Sequence, residues 1–148
     1  MIIKSLEHLS SMSKKVGDNL KKNDCIYLIG EIGVGKTTFT RYLINYLQKI
    51  NGMKITEVLS PTFNLLYEYN LKDYKIMHYD LYRIKEEKEL NNLGLLKHDD
   101  QSVIKIIEWP DLIKTPISNK LEIHLNYTKN EHERELEFLG TGKWKNFK

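Results

Sequence analysis

The chain has 148 residues, 41% hydrophobic and 29% charged, with a formal net charge of +3. This composition excludes a disordered or fibrous chain and predicts one globular domain, residues 1–148, with its own core. One cysteine excludes an internal disulfide. Without an apolar run near 18 residues or a signal-peptide pattern, we expect a cytoplasmic protein with no membrane contact.

The first predicted element is a helix that begins after Ser5, a suitable N-cap, and ends near Leu20. Its apolar side comprises Leu6, Leu9, Met12, Val16 and Leu20. A polar turn at 21–24 then leads into the apolar run Cys25–Ile29. A continuous apolar run is typical of a strand buried on both faces.

Residues 30–37 read G-E-I-G-V-G-K-T, a complete phosphate-binding loop of the form G-x-x-x-x-G-K-T. The glycines let backbone N–H groups point at an anion. Lys36 is expected on the β- and γ-phosphates, and the Thr37 hydroxyl is suited to Mg²⁺. The candidate nucleotide-binding residues here are Glu31, Ile32, Gly33, Val34, Gly35, Lys36, Thr37 and Thr38.

A second helix follows the loop, because apolar residues recur along one face until Asn51-Gly52 ends the pattern. These apolar residues are Phe39, Leu43, Leu47 and Ile50. The order strand, glycine loop, helix places the helix N-terminus at the anion. The segment therefore predicts a nucleoside triphosphate site.

The rest of the chain is predicted to hold more strands and one helix. Strands are expected at 56–59, 63–69, 75–79, 103–107, 121–127 and 134–139, and a helix at 85–92 ended by Gly94. The fold class predicted is α/β: a three-layer P-loop NTPase-like sandwich with a mixed, mostly parallel sheet and an antiparallel C-terminal strand pair. Residues 143–148 have three interpretations: a flexible tail, a Trp144 packed on the sheet, or an RNA contact made by lysines and aromatics.

Two acids are candidate partners of the loop. Glu108 follows the apolar run 103–107, and Asp80 follows the less apolar run 75–79, which we expect nearer the periphery of the sheet. The more apolar run is the better central strand, so we assign Glu108 to Mg²⁺ together with Thr37. Asp80 is assigned to orienting or deprotonating water. Asp80, Glu108 and Lys36 are thus the candidate catalytic residues, and the reverse roles of the two acids remain open.

Two further residues have alternative roles. The segment 60–63, Ser-Pro-Thr-Phe, is expected to follow a strand that neighbours the first, and Thr62 either senses a γ-phosphate or belongs to an ordinary turn. Arg83 either neutralises charge in a transition state or pairs with Asp80. The composition of the segments does not separate these alternatives.

Four segments together resemble the TsaE (YjeE) family: G-E-I-G-V-G-K-T-T-F at 30–39, S-P-T-F at 60–63, H-Y-D-L-Y-R at 78–83 and E-W-P at 108–110. The resemblance extends from the first helix to about Arg134. It implies a weak Mg²⁺-dependent ATPase and a nucleotide contact from the first helix, matched here by Ser10 or Ser11. It also implies work with TsaD and TsaB, which transfer the threonylcarbamoyl group to adenosine 37 of tRNAs that read ANN codons. The tRNA is expected to be contacted through that complex, by a chain that is monomeric alone.

Three other functions are alternatives to this one. A small-molecule kinase of the P-loop type usually needs several arginines, and this chain has only Arg41, Arg83 and Arg134. A GTPase is disfavoured because the chain has no D-x-x-G motif. A nucleotide-gated assembly factor with negligible hydrolysis stays open. No zinc is predicted, since His132 does not begin an H-E-x-x-H motif.

Overall fold

The computed structural model describes residues 1–95 and 102–148, and its centre is a seven-stranded sheet in the order β1-β7-β6-β2-β5-β4-β3. Strands β6, β2, β5 and β4 run parallel to one another. The pairs β3–β4, β6–β7 and β1–β7 are antiparallel. The predicted mixed sheet and the antiparallel C-terminal pair are confirmed. The strands are β1 (Ile2–Ile3), β2 (Cys25–Ile29), β3 (Leu66–Asn70), β4 (Lys75–Asp80), β5 (Val103–Glu108), β6 (Lys120–Tyr127) and β7 (Arg134–Gly140).

Within the described residues, three α-helices accompany the sheet: α1 (Leu6–Asn19), α2 (Lys36–Ile50) and α3 (Glu87–Asn92). The predicted cap of α1 is confirmed, because the Ser5 hydroxyl accepts the backbone N–H of His8 at 3.1 Å. Short 3₁₀ helices cover Pro110–Leu112 and Gly142–Trp144. None of the helices in the two described ranges is long and apolar enough to cross a membrane.

Side-chain alternation along β2 divides the core into two layers. Ile26 and Leu28 belong to the larger cluster, which includes the apolar faces of α1 and α2. Cys25 and Tyr27 point the other way, into a smaller cluster that includes Leu90 of α3. Helical layers therefore lie on both sides of the sheet, which confirms the predicted three-layer sandwich.

The predicted strand at 56–59 is wrong. The side chain of Gln48 on α2 makes two hydrogen bonds with Thr56. Its Oε1 accepts from the backbone N–H of Thr56 at 3.1 Å, and its Nε2 donates to the Thr56 hydroxyl at 2.7 Å. A strand would have offered that N–H to a sheet neighbour, so the segment runs along α2 as irregular chain instead. The segment 60–63 therefore does not follow a strand next to β2, whose neighbours are β5 and β6.

Two predicted boundaries also shift. The strand expected from residue 63 begins at Leu66, because Leu65 adopts a positive φ of 66° and closes a turn onto the carbonyl of Pro61 at 2.6 Å. The helix expected from residue 85 begins at Glu87, because Glu86 and Glu89 form a capping box there. Strand β4 lies one place from the sheet edge, between β5 and the edge strand β3.

The C-terminal residues pack on the body of the protein. Trp144 is buried, and its ring lies 5.0 Å from the ring of Phe147. Phe147 in turn contacts Phe138 of β7, with ring centroids 5.1 Å apart. Lys143 forms an ion pair with the buried Asp24, at the start of β2. Among the three interpretations, this arrangement corresponds to a tryptophan packed on the sheet.

Candidate functional site

The site lies where the carboxyl ends of the parallel strands β2, β5 and β4 meet. Strand β2 leads directly into the phosphate-binding loop, and the loop leads into α2. Gly30 has a φ of +150°, and a Cβ atom there would lie 2.2 Å from the carbonyl oxygen of Leu125. Only glycine fits at this position, so the start of the loop is fixed by its close approach to β6.

Lys36 lies beneath the loop and is buried. Its ammonium donates to the carbonyl oxygens of Gly30 at 2.7 Å and Glu31 at 2.8 Å, and lies 4.2 Å from the centre of the Trp109 ring. Burial lowers the pKa of Lys36, while the nearby carboxylates of Glu108 and Asp80 act to raise it. The side chain thus places a cation at the centre of the loop.

Thr37 and Glu108 form the second contact of the site. The Thr37 hydroxyl lies 3.1 Å from Oε1 and 3.4 Å from Oε2 of Glu108, which is almost wholly buried at the end of β5. Oε1 also lies 2.9 Å from Nε2 of His78. A hydroxyl and a carboxylate are the oxygen ligands that Mg²⁺ prefers, so this pair fits the predicted cation.

Asp80, at the end of β4, is held from two sides. The Thr62 hydroxyl donates to Oδ2 at 2.9 Å, and the backbone N–H of Tyr82 donates to Oδ1 at 2.9 Å. Ser60 lies 2.8 Å from the same Thr62 oxygen. Asp80 is also the register partner of Glu108, so both acids lie at the same edge of the sheet. The loop at 60–62 reaches the site through side chains rather than through sheet pairing.

Two cavities flank the phosphate-binding loop and share Gly33, Gly35 and Thr38. The first, about 270 Å³, holds the polar residues described above and is lined by Ile32, Gly33, Gly35, Lys36, Thr37, Thr38, Ser60, Thr62, Asp80, Tyr82, Glu108 and Trp109. The second, about 330 Å³, is lined by Ile3, Ser5, Leu6, Leu9, Gly33, Val34, Gly35, Thr38, Glu131, His132 and Arg134. The loop therefore lies between the two cavities, and the first, which contains Lys36, Asp80 and Glu108, is the polar chamber.

The β6–β7 hairpin braces the loop from outside. The hydroxyl of Tyr127 donates to the carbonyl of Ile32 at 2.9 Å, and Nε of Arg134 donates to the carbonyl of Val34 at 3.2 Å. The Arg134 guanidinium also lies 4.6 Å from the centre of the Tyr127 ring. Two loop carbonyls are thereby turned outward, and this leaves the inner side of the loop to its N–H groups.

The structure brings most of the candidate residues together, but four of them line neither cavity: Ser10, Ser11, Glu31 and Arg83. Ser10 and Ser11 line neither cavity; Ser5, Leu6 and Leu9 are the residues of the α1 region that do. Arg83 is exposed on the chain beyond Asp80, with its guanidinium 5.3 Å from the centre of the Phe63 ring. Glu31 is exposed and contributes its carbonyl to Lys36.

The sequence did not predict the roles of His78, Trp109, Tyr127 and Arg134 in the site. His78 carried a usable signal, because it shares one face of β4 with Asp80 in the strand alternation. Trp109 directly follows Glu108. Tyr127 and Arg134 had no such signal, since their roles depend on where the hairpin folds back against the loop.

Comparisons with known proteins identify the family of the chain. Residues 3–136 match the family model described as threonylcarbamoyl adenosine biosynthesis protein TsaE. The proteins named tRNA threonylcarbamoyladenosine biosynthesis protein TsaE from Rickettsia bellii and Bacillus subtilis are 39% and 31% identical to the chain. These matches cover 91% and 92% of the chain and 90% and 82% of the relatives.

A solved structure extends the comparison to the fold. The crystal structure of YdiB from Bacillus subtilis matches with a TM-score of 0.72 and 27% identity, over 97% of this chain and 85% of that one. The family model and the relatives each span most of the sequence, so the resemblance seen in the four motifs is confirmed. The chain belongs to the TsaE family of nucleotide-binding proteins.

Proposed function

We propose that this protein binds ATP with Mg²⁺, hydrolyses it slowly, and acts with TsaD and TsaB to form threonylcarbamoyladenosine at position 37 of tRNAs that read ANN codons. The observation that carries the proposal is the contact between Thr37 and Glu108 at the foot of a complete phosphate-binding loop. The names of the relatives support the tRNA modification. The site geometry supports the nucleotide chemistry.

The polar chamber is suited to the terminal phosphates. Lys36 supplies a positive charge beneath the loop, and the backbone N–H groups of the loop and of the first turn of α2 supply donors. Thr37 and Glu108 would hold Mg²⁺, which neutralises charge on the β- and γ-phosphates when it is bound. Arg83 would neutralise charge in the transition state only after its guanidinium moves away from the Phe63 ring and into the chamber.

Asp80 is the candidate for handling the attacking water. Its carboxylate is fixed by Thr62 and by the Tyr82 N–H, and an acid held in this way can orient a water or accept its proton. Thr62 is well placed to report the state of a γ-phosphate, because it joins Asp80 to the exposed segment that ends at Phe63. We propose this loop as the part that changes with the nucleotide.

The second cavity is suited to the base and ribose. It adjoins the polar chamber, with which it shares Gly33, Gly35 and Thr38, and the apolar side chains of Leu6 and Leu9 form part of its wall. An extended ligand with an anionic end and a flat apolar end fits the two chambers in sequence. The first helix would then contact the nucleotide through the residues at its N-terminal end, and Ser10 would not contact it directly.

The test is reconstituted tRNA modification with purified TsaB and TsaD and a limiting amount of this protein. Wild type is expected to support many product molecules per copy. Asp80→Asn is expected to keep ATP affinity and partner binding but to stop at no more than one product per copy. Asp73→Asn, which changes an exposed carboxylate in the β3–β4 turn, is the matched control.

Two results would contradict the proposal in different ways. Unchanged modification by Asp80→Asn would favour a nucleotide-gated assembly factor without a need for hydrolysis. Stoichiometric phosphorylation of a small acceptor by the wild-type protein would favour the P-loop kinase.

A further inference from the structure

We infer that His78 is a positioning residue for Glu108: it holds one oxygen of the carboxylate and leaves the other for the divalent cation. The inference rests on the proposed Mg²⁺-ATP site and adds a residue to it. Its geometric basis is the 2.9 Å contact between Nε2 of His78 and Oε1 of Glu108. The two groups are among the most buried polar side chains of the protein.

The surroundings of His78 are apolar. His78 lies on the face of β4 that also carries Ile76, and its register partner on β5 is Ile106. Both isoleucines are fully buried in the core cluster beneath α1 and α2. Because a polar ring in this layer is removed from bulk solvent, its contacts with other side chains decide whether it is tolerated.

The hydrogen bonds of His78 point in one direction only. Nε2 faces Glu108, whereas Nδ1 is buried and has no hydrogen-bond partner among residues 1–95 and 102–148. A leucine at this position would fill the same apolar layer and would not bury a nitrogen without a hydrogen-bond partner. Stability alone therefore does not account for an imidazole here. What the ring adds is a donor for the carboxylate, because an ionised carboxylate can only accept.

This donor makes the two oxygens of Glu108 unequal. Oε1 lies 2.9 Å from Nε2 of His78 and 3.1 Å from the Thr37 hydroxyl, while Oε2 has the longer 3.4 Å contact with Thr37. Fixing Oε1 restricts rotation of the carboxylate and leaves Oε2, with only the longer contact to Thr37, available to a cation. Residues that orient metal ligands in this way commonly affect metal affinity by about tenfold or more.

The experiment measures Mn²⁺ binding to the full chain in complex with the non-hydrolysable analogue AMPPNP, by electron paramagnetic resonance. His78→Leu is expected to raise the Kd for Mn²⁺ about tenfold, with metal-free AMPPNP affinity unchanged. His78→Gln, which keeps a donor near the position of Nε2, is expected to restore Mn²⁺ affinity to within about threefold of wild type. Tyr79→Phe is the matched control, since it removes a buried hydroxyl from the opposite face of the same strand.

The outcomes separate this inference from the proposed function. A wild-type complex with no Mn²⁺ site would overturn both. A His78→Leu complex that binds Mn²⁺ like wild type, or that loses metal-free AMPPNP by the same factor, would overturn only the role of His78. If His78→Leu does not fold, His78→Asn replaces it, because the shorter amide also removes the donor near Nε2. The Kd for Mn²⁺ of His78→Asn is then compared with that of His78→Gln, with the same expected difference.

Discussion

The hydroxyl of Thr37 lies 3.1 Å from Oε1 of Glu108, although 71 residues separate them in the chain. The sheet brings them together, because β2 and β5 are parallel neighbours in which Leu28 pairs with Glu108. The loop that follows β2 then turns Thr37 back over the end of β5. The contact thus depends on strand order, and it joins a residue of the phosphate-binding loop to an acid outside it.

The hairpin brace predicts an effect on nucleotide affinity. Tyr127→Phe removes the 2.9 Å bond to the Ile32 carbonyl and leaves the ring in place. Because one such bond contributes on the order of 1 kcal/mol, ATP affinity should fall about twofold to fivefold, measured by calorimetric titration. Tyr46→Phe is the matched control, since it removes a hydroxyl bonded to Asp18 away from the loop. An equal loss in both variants would contradict a specific role for Tyr127.

Trp109 should report nucleotide binding by its fluorescence. The Lys36 ammonium lies 4.2 Å from the centre of its ring, and a triphosphate would draw that charge toward the loop interior. ATP should therefore change the emission of wild type and of Trp144→Phe, and should leave Trp109→Phe unchanged. A signal that disappears in Trp144→Phe instead would show that the C-terminal segment, and not Lys36, responds to the nucleotide.

The packing of the C-terminal segment predicts a large contribution of Trp144 to stability. Its side chain is almost wholly buried and contacts Phe147. Trp144→Ala should lower the free energy of unfolding by about 3–5 kcal/mol in urea titrations, and Lys145→Ala, an exposed neighbour, should change it by less than about 0.5 kcal/mol. A loss below about 1 kcal/mol for Trp144→Ala would indicate a loosely attached tail.

Cys25 predicts an alkaline loss of stability. Burial raises the pKa of its thiol from 9.0 to about 12. Between these values the folded protein keeps the proton while the unfolded chain releases it. The free energy of unfolding should therefore fall as the pH rises above 9.0, by up to about 1.4 kcal/mol per pH unit from this group.

Two measurements check this prediction. Iodoacetamide should leave native Cys25 unmodified at pH 9 and should react after unfolding in urea, because the thiolate is the reactive form. Cys25→Ala should show a shallower fall of stability with pH than wild type. Rapid alkylation of the native protein would contradict the buried position of the thiol.

The sequence predicted those parts of the fold that local patterns determine. The Ser5 cap, the apolar run of β2 and the glycine loop each carry their own signal, and each lies where it was expected. The predicted strand at 56–59 is wrong because of a residue outside that segment. The side chain of Gln48, eight residues earlier, accepts the hydrogen bond of the Thr56 backbone N–H that a neighbouring strand would otherwise accept. The residues of the segment itself do not indicate such a partner.

The same distinction applies to the site. Lys36, Thr37, Asp80 and Glu108 could be selected because each follows a recognisable loop or strand end, and the structure brings them together. Tyr127 and Arg134 could not, since they meet the loop only after β7 folds back beside β6. Arg83 is close to Asp80 in the sequence, but its side chain lies on the Phe63 ring instead. Proximity in the sequence therefore did not predict its contact.

The most direct test of the central claim is the affinity for ATP, measured with and without Mg²⁺, in wild type and in Glu108→Gln. If Thr37 and Glu108 hold the cation together, Mg²⁺ should strengthen ATP binding in wild type, and the substitution should reduce that strengthening at least about tenfold while the protein stays folded. A Glu108→Gln protein in which Mg²⁺ strengthens ATP binding as much as in wild type would contradict the account.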